Sequence, residues 1–374
     1  MKQPQLRRAG TIEPLWLKRG AARRKIGLPR PPAQLLERFE RALEDILGAF
    51  LAPVERAPVA EQIRWHFGFG HPDGRRGKRL RPRLMLQIAL DEGGTFEGVL
   101  DAALAVECLH NYSLLHDDIE DRDEVRHGRQ AVWARFGLAH GINAGDSMCA
   151  VSYLALLRNS GALPPDRLNH MIRVLHEANF AMCVGQSYDL EFEAARHVTM
   201  DAYLAMIEGK TATLFGAACE LAALSAGAGR DRAAAYGELG RVYGRAFQIA
   251  DDVHGTWAST QETGKAQCSD IVRRKWTFPI VWALAGPPSD ARAVIASRYR
   301  RAAPLAQPDV DAVMTALDAL GARRAAEAAC CAYACEAAAL TERADLDRNA
   351  VLAAVTAITE RRTSTAYAGV TLSR

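Results

Sequence analysis

The chain is poor in several things, and each shortage closes off a class of protein. None of its eight cysteines stands in a Cys-x-x-Cys pair. Neither a zinc ribbon nor a disulfide framework is expected, and reduced thiols in the cytoplasm fit better. No apolar run reaches the roughly eighteen residues that a spanning helix needs. No basic stretch followed by an apolar one marks a secretory signal. Charge of one sign is scarce: 47 Lys and Arg against 44 Asp and Glu leave a formal +3. That is too little to argue for nucleic acid as a partner. Alternating apolar–polar runs are nearly absent, which removes a sheet-based core.

What remains is helix. Leu36, Phe39, Leu43, Ile46, Leu47 and Phe50 recur at helical spacing. The same period runs through 81–92, 99–120, 143–158, 167–193, 200–226, 231–252, 274–286, 309–319, 322–340 and 348–361. Breaks rich in Gly, Pro or Asp fall at 68–77, Gly93-Gly94, 161–165, 227–229 and Gly286-Pro287-Pro288. No linker divides the chain. The expected fold class is all-α, one domain over residues 35–374 with about ten or more helices. Residues 1–34 differ, with nine basic residues, Glu13 as the one acid, and five prolines. They read as a loosely draped tail. An organelle-targeting segment is usually Ser-rich, and this stretch has no serine; a phosphate-binding arm is the other reading.

The sharpest chemical feature is Asp117-Asp118-Ile119-Glu120-Asp121, continuing through Asp123 and Glu124. On a helix, Asp117 and Asp121 project from one face, a turn apart. Each like-charged pair at that spacing costs roughly 0.2–0.5 kcal/mol. A solvated acidic helix end is the plain explanation. Leu114 and Leu115 before it, His110 and His116 around it, and Arg126 and Arg129 after it argue instead for a partly buried site shared with a phosphate. Asp251-Asp252, behind Phe247-Gln248-Ile249-Ala250, supply a second acidic wall. Two such walls across a cleft suit Mg²⁺, which is commonly held by one or two carboxylates while substrate phosphates and water complete its shell.

Three basic segments are weaker taken singly. Gly77-Lys78-Arg79-Leu80-Arg81-Pro82-Arg83 could grip a diphosphate at a helix start, though basic helix starts are common on surfaces. Glu208-Gly209-Lys210-Thr211 places a glycine inside a helical run, at a cost of about 1 kcal/mol relative to alanine; Lys210 is either a cleft residue or a snorkelling surface lysine. Gly264-Lys265, Asp270 and Arg273-Arg274-Lys275 form a basic loop that could cover a bound diphosphate or simply lie in solvent.

In their order, "GKRLRP" at 77–82, "LHNYSLLHDDIED" at 109–121, "INAGDSM" at 142–148, "GQSYDLEFE" at 185–193, "EGKTATLF" at 208–215, "FQIADD" at 247–252 and "TGK" at 263–265 resemble the trans-isoprenyl diphosphate synthases, or polyprenyl synthetases. The resemblance implies the isoprenoid synthase fold, a single large helical bundle around a deep central cavity, assembled as a homodimer. It also implies a prenyltransferase that condenses isopentenyl diphosphate with an allylic diphosphate. By the same resemblance Asp117, Asp118 and Asp121, with Asp251 and Asp252, bind Mg²⁺, about three ions with the substrate diphosphate. Lys78, Arg81 and His110 would hold the diphosphate of isopentenyl diphosphate. Arg126, Lys210 and Lys265 would hold the allylic diphosphate, with Lys275 in the same basic loop. Thr211 and Gln248 would lie along the nascent carbocation.

Chain length in this family is set by bulk beneath the first acidic motif. Tyr112 stands there, which favours a short product, farnesyl or geranylgeranyl diphosphate. A core-packed Tyr112, with the floor set by another helix, is the alternative. Two positions depart from the family pattern. The second motif reads Asp251-Asp252-Val253-His254-Gly255, so its last acid is missing and a third ion would lean on Asp252 or water. His127 takes the second of two places usually held by arginines, and it cannot make arginine's bidentate fork. That asymmetry leaves open a synthase-like terpene cyclase acting on one prenyl diphosphate. A non-catalytic partner subunit is a third reading, and the crowded carboxylates argue against it.

Overall fold

The computed structural model describes residues 33–70, 77–158, 163–257, 268–301 and 304–346. The basic tail up to residue 32, the Gly264-Lys265 pair and the run at 348–361 lie outside the described residues. The helices, in chain order, are α1 Ala33–Leu51, α2 Pro58–Phe67, α3 Leu80–Asp91 and α4 Phe96–Glu120, followed by α5 Val132–Phe136, α6 Leu138–Leu157, α7 Pro165–Ala194 and α8 Met200–Ile207. After these come α9 Thr213–Ser225, α10 Arg230–Trp257, α11 Ser269–Val272, α12 Phe278–Ala285, α13 Asp290–Tyr299, α14 Gln307–Leu320 and α15 Ala322–Arg343. The all-α expectation holds. No described helix is long and apolar enough to cross a membrane.

Local chemistry sets many of the boundaries. Thr95 accepts the Gly98 amide at 3.1 Å and starts α4; Thr199 and Ser289 cap α8 and α13 in the same way. Gly68, at φ 73°, ends α2 in the left-handed conformation that glycine takes most readily. Four of the described helices, α2, α5, α11 and α13, are missing from the sequence reading, each being no more than ten residues long. The expected helix over 200–226 is interrupted by a π-helical turn at Glu208–Ala212. Among the described residues the one strand pair is a short hairpin. Its strands, β1 Val125–Arg126 and β2 Arg129–Gln130, pair Val125 with Gln130 and Arg126 with Arg129. The turn between them places His127 and Gly128 at positive φ, as a two-residue type I′ loop requires.

Two helices lie at the centre. Helix α9 is buried along nearly its whole length, and α4 along most of its N-terminal two-thirds, so each carries apolar residues around much of its circumference rather than in one stripe. Helices α3, α6, α7 and α10 pack around the pair. Close approach depends on missing side chains. A Cβ on Gly240 would lie 2.4 Å from the Phe215 carbonyl oxygen, and one on Gly185 would lie 2.1 Å from the Lys210 amide nitrogen. The first contact seats α10 against α9, and the second seats α7 against the π turn.

Candidate active site

A cavity of about 1030 Å³ opens between the start of α3, α4, the hairpin, α7, α8, the π turn, α10 and the stretch 270–277. Asp117 lines it from α4 and Asp251 from α10, so the two acidic runs do share one hollow.

The acids are not equivalent. Asp117 lines the cavity and Asp118, turned about 100° from it on the helix, does not. Asp118 is buried and accepts Arg126 Nε at 2.8 Å. Asp121, at the C-cap of α4, accepts Lys275 Nζ on both oxygens at 2.9 Å. Asp117 is left facing the hollow. Burial pushes its carboxyl up to about 6; Lys210 pulls it down, while Asp121 and Glu120 push it further up. On the other wall Asp252 is sealed. It accepts the Tyr203 hydroxyl at 2.6 Å, the Phe278 amide at 2.8 Å and Gln248 Nε2 at 3.0 Å. Burial outweighs those three donors and raises its carboxyl to about 7. Thr211 donates to Gln248 Oε1 at 2.7 Å, so Thr211, Gln248 and Asp252 form one chain along the wall.

Two lysines at the cavity are paired with acids, Lys275 with Asp121 and Lys210 with Asp189. The Lys210 ammonium bonds Asp189. Burial works against its charge, but Asp189 and Asp117 hold it above the ordinary lysine range. The π turn makes this geometry: Thr213 N–H reaches back to the Glu208 carbonyl, five residues away, and the widened turn presents Lys210 and Thr211 to the cavity.

The opposite end is cationic. Lys78, Arg81, His110 and His127 line it. Arg81 is buried with its guanidinium 4.2 Å over the Phe215 ring, and its Nε has no hydrogen-bond partner among the described residues. Burial lowers its pKa to about 10. Burial and the nearby arginines push His127 down to about 4 and His110 well below its usual range; both rings are neutral at pH 7. Tyr112 lines the cavity too, with its hydroxyl 3.5 Å from Cys183 Sγ on α7. Met182, Leu190, Met206 and Phe247 supply apolar lining.

All the expected site residues that are described touch this cavity except Asp118 and Asp121, which sit behind its wall in ion pairs. Lys265 falls outside the described residues. Sequence reasoning passed over Glu107, Asp189 and Tyr203, all of which line the cavity. Asp189 lies inside the quoted "GQSYDLEFE", one helical turn after the cavity-lining Gln186; that spacing was the available signal. The oxygen-only donors suit a hard divalent ion. Among the described residues no three acidic, histidine or cysteine side chains cluster tightly enough to chelate one unaided, so a ligand's oxygens would have to complete the shell.

An all-α bundle enclosing a hollow with acids on two walls and cations at one end defines a class of protein that handles anionic ligands. The sequence matches the profile described as Polyprenyl synthetase over residues 71–317. It is 37% identical over 257 residues to a (2E,6E)-farnesyl diphosphate synthase of Mycobacterium bovis, covering 68% of this chain and 69% of that one. A geranylgeranyl diphosphate synthase of Mycobacterium tuberculosis is 35% identical over 280 residues, 73% and 79% of the two chains. Among solved structures, a polyprenyl synthetase from Streptomyces coelicolor A3(2) superposes with a TM-score of 0.77 at 27% identity, covering 88% of this chain and 99% of that one. The chain belongs to the polyprenyl synthetase family.

Proposed function

We propose that this chain is a trans-prenyltransferase that joins isopentenyl diphosphate to an allylic diphosphate and releases a short-chain prenyl diphosphate, farnesyl or geranylgeranyl in length. The observation that carries the reading is the convergence of Asp117 and Asp251 on one cavity that also holds Lys210, Lys275 and Arg81. Mg²⁺ would be held by Asp117 on one wall and Asp251 on the other, joined by Asp121 once a substrate diphosphate draws Lys275 from it, and it would supply positive charge to the departing diphosphate.

The chain's own groups do the remaining work. Lys210 and Lys275 present fixed ammonium charges toward the allylic diphosphate as its C1–O bond breaks. Met182, Leu190, Met206 and Phe247 keep water from the allylic cation. Gln248 and Thr211 present amide and hydroxyl dipoles along its path. Lys78 and Arg81 orient isopentenyl diphosphate so that its alkene attacks C1. A carbon–carbon bond forms, and the proton lost from the adduct goes to the released diphosphate. Tyr112, reaching across to Cys183, sets the floor against which the growing tail stops.

The same reading includes a homodimer. Leu138, Ile142 and Leu154 on α6, with Phe180 (73% exposed) and Val184 on α7, leave large apolar side chains uncovered; a second copy is the occupant we infer. A cytoplasmic location is consistent with eight free cysteines. Purified protein incubated with Mg²⁺, isopentenyl diphosphate and each allylic primer should yield a longer diphosphate by mass. The neutral His127 favours one competitor, a cyclase. A hydrocarbon made from a single prenyl diphosphate, with no elongation, would replace the present reading with that one.

A further inference from the structure

Arg79 lines the cavity together with Lys78 and Arg81, yet its guanidinium is tied to two carboxylates. Lys78 and Arg81 line the cationic end. The Arg79 side chain is buried, and its backbone is at φ 48°, a conformation that non-glycine residues rarely take. The guanidinium lies between two helices. Its Nε donates to Glu40 Oε1 on α1 at 2.8 Å, and its Nη1 donates to Glu107 Oε1 on α4 at 2.7 Å. Asn111 donates to the same Glu107 oxygen at 3.0 Å and is bonded in turn to His66 Nε2 at 2.9 Å.

Glu107 is the reason this matters. It is a buried carboxylate in the lining of a pocket end that also holds Lys78, Arg79 and Arg81. Its second oxygen, Oε2, has no hydrogen-bond partner among the described residues, and neither has Arg81 Nε. A buried acceptor and a buried donor on facing helices, both unsatisfied, are each costly, and the two charges attract. Left alone, Glu107 would draw Arg81 into an internal ion pair and remove it from the ligand's reach.

We propose that Arg79 is a positioning residue that occupies Glu107 and so keeps Arg81 available for the diphosphate of isopentenyl diphosphate. The inference rests on the reading of this end as that substrate's site. It accounts for the strained backbone at residue 79, which sets the Arg79 guanidinium between Glu40 and Glu107 while Lys78 and Arg81 line the same end. It also accounts for Asn111, which holds the same Glu107 oxygen from the other side.

The test combines steady-state kinetics with calorimetric binding of inorganic diphosphate. Arg79→Gln should raise the KM for isopentenyl diphosphate and weaken diphosphate binding by roughly tenfold to a hundredfold, with the allylic KM unchanged. Adding Glu107→Gln removes the competing carboxylate, so Arg79→Gln/Glu107→Gln should recover most of the loss. A purely architectural Arg79 predicts the reverse, because the double variant strips more of the buried network. If Arg79→Gln does not fold, the double variant still decides: near-native affinity supports the role, and a loss as large as that of Arg81→Gln overturns it. Loss in Arg81→Gln with none in Arg79→Gln keeps the site and discards the role of Arg79. No loss in Arg81→Gln discards the site reading, and the inference with it.

Discussion

The two ends of the cavity handle charge in opposite ways. At the α4–α10 end, cations meet carboxylates before any ligand arrives: Lys210 with Asp189, Lys275 with Asp121, Arg126 with Asp118. At the α3 end, Arg81 rests on an aromatic face and two histidines are held neutral. A buried charge is tolerable only when it is matched. The first end is therefore balanced, and it accepts further negative charge only together with further positive charge. The second end pairs Arg79 with Glu107 but leaves Arg81 Nε without a hydrogen-bond partner among the described residues, which suits a diphosphate arriving without a metal.

Asp117→Ala should break the balanced end most severely. We expect turnover to fall by about a thousandfold with little change in melting temperature; normal activity alongside a large melting loss would refute a catalytic place for Asp117. Tyr112→Ala acts on the floor between the ends. Its product should lengthen by at least one isoprene unit in the mass spectrum, and an unchanged product would move the floor to another helix. His127→Arg adds charge at the α3 end and should tighten isopentenyl diphosphate by several-fold, about threefold to tenfold. An unchanged KM would place residue 127 outside that subsite.

The smallest effect is a pH slope. The Asp117 carboxyl titrates at about 6 in the fold against an ordinary 3.8. Between those values the folded chain holds more protons than the unfolded one, so Asp117 lowers stability as pH rises through that window. His66 and His127 act with the opposite sign, because burial lowers both. The difference between wild type and Asp117→Asn isolates the carboxylate. Without metal, the variant should lose less melting temperature, or gain more, between about pH 4 and pH 6; parallel curves would contradict the raised carboxyl.

How much of this was legible depended on whether the cause lay within one segment. The long period of 167–193 announced α7, and acid crowding at 117–124 announced a wall, because both are local patterns. The hairpin escaped notice: its strands are two residues each and its turn is His-Gly rather than the commoner Asn-Gly. Asp189 escaped because one acid on a helix resembles any surface acid until Lys210 arrives from elsewhere. Asp118 stands with Asp117 and Asp121 in the motif, whereas in the fold it is buried against Arg126 and leaves the lining to Asp117. Arg79 looked like one more cation in a basic run, and only the positions of Glu40 and Glu107 distinguish it.

The widened turn at Glu208–Ala212 amounts to one residue of slack in an otherwise regular rod. Everything C-terminal to it, from Thr213 through Ser225, is rotated relative to Met200–Ile207 by that surplus. Deleting a single residue there would restore an unbroken spiral and leave hydropathy and helix content almost untouched. It would also swing Lys210 and Thr211 out of phase with Asp117 and Gln248. The chain would still look folded by circular dichroism while having lost its reaction geometry, so this stretch should tolerate substitution better than any change in length.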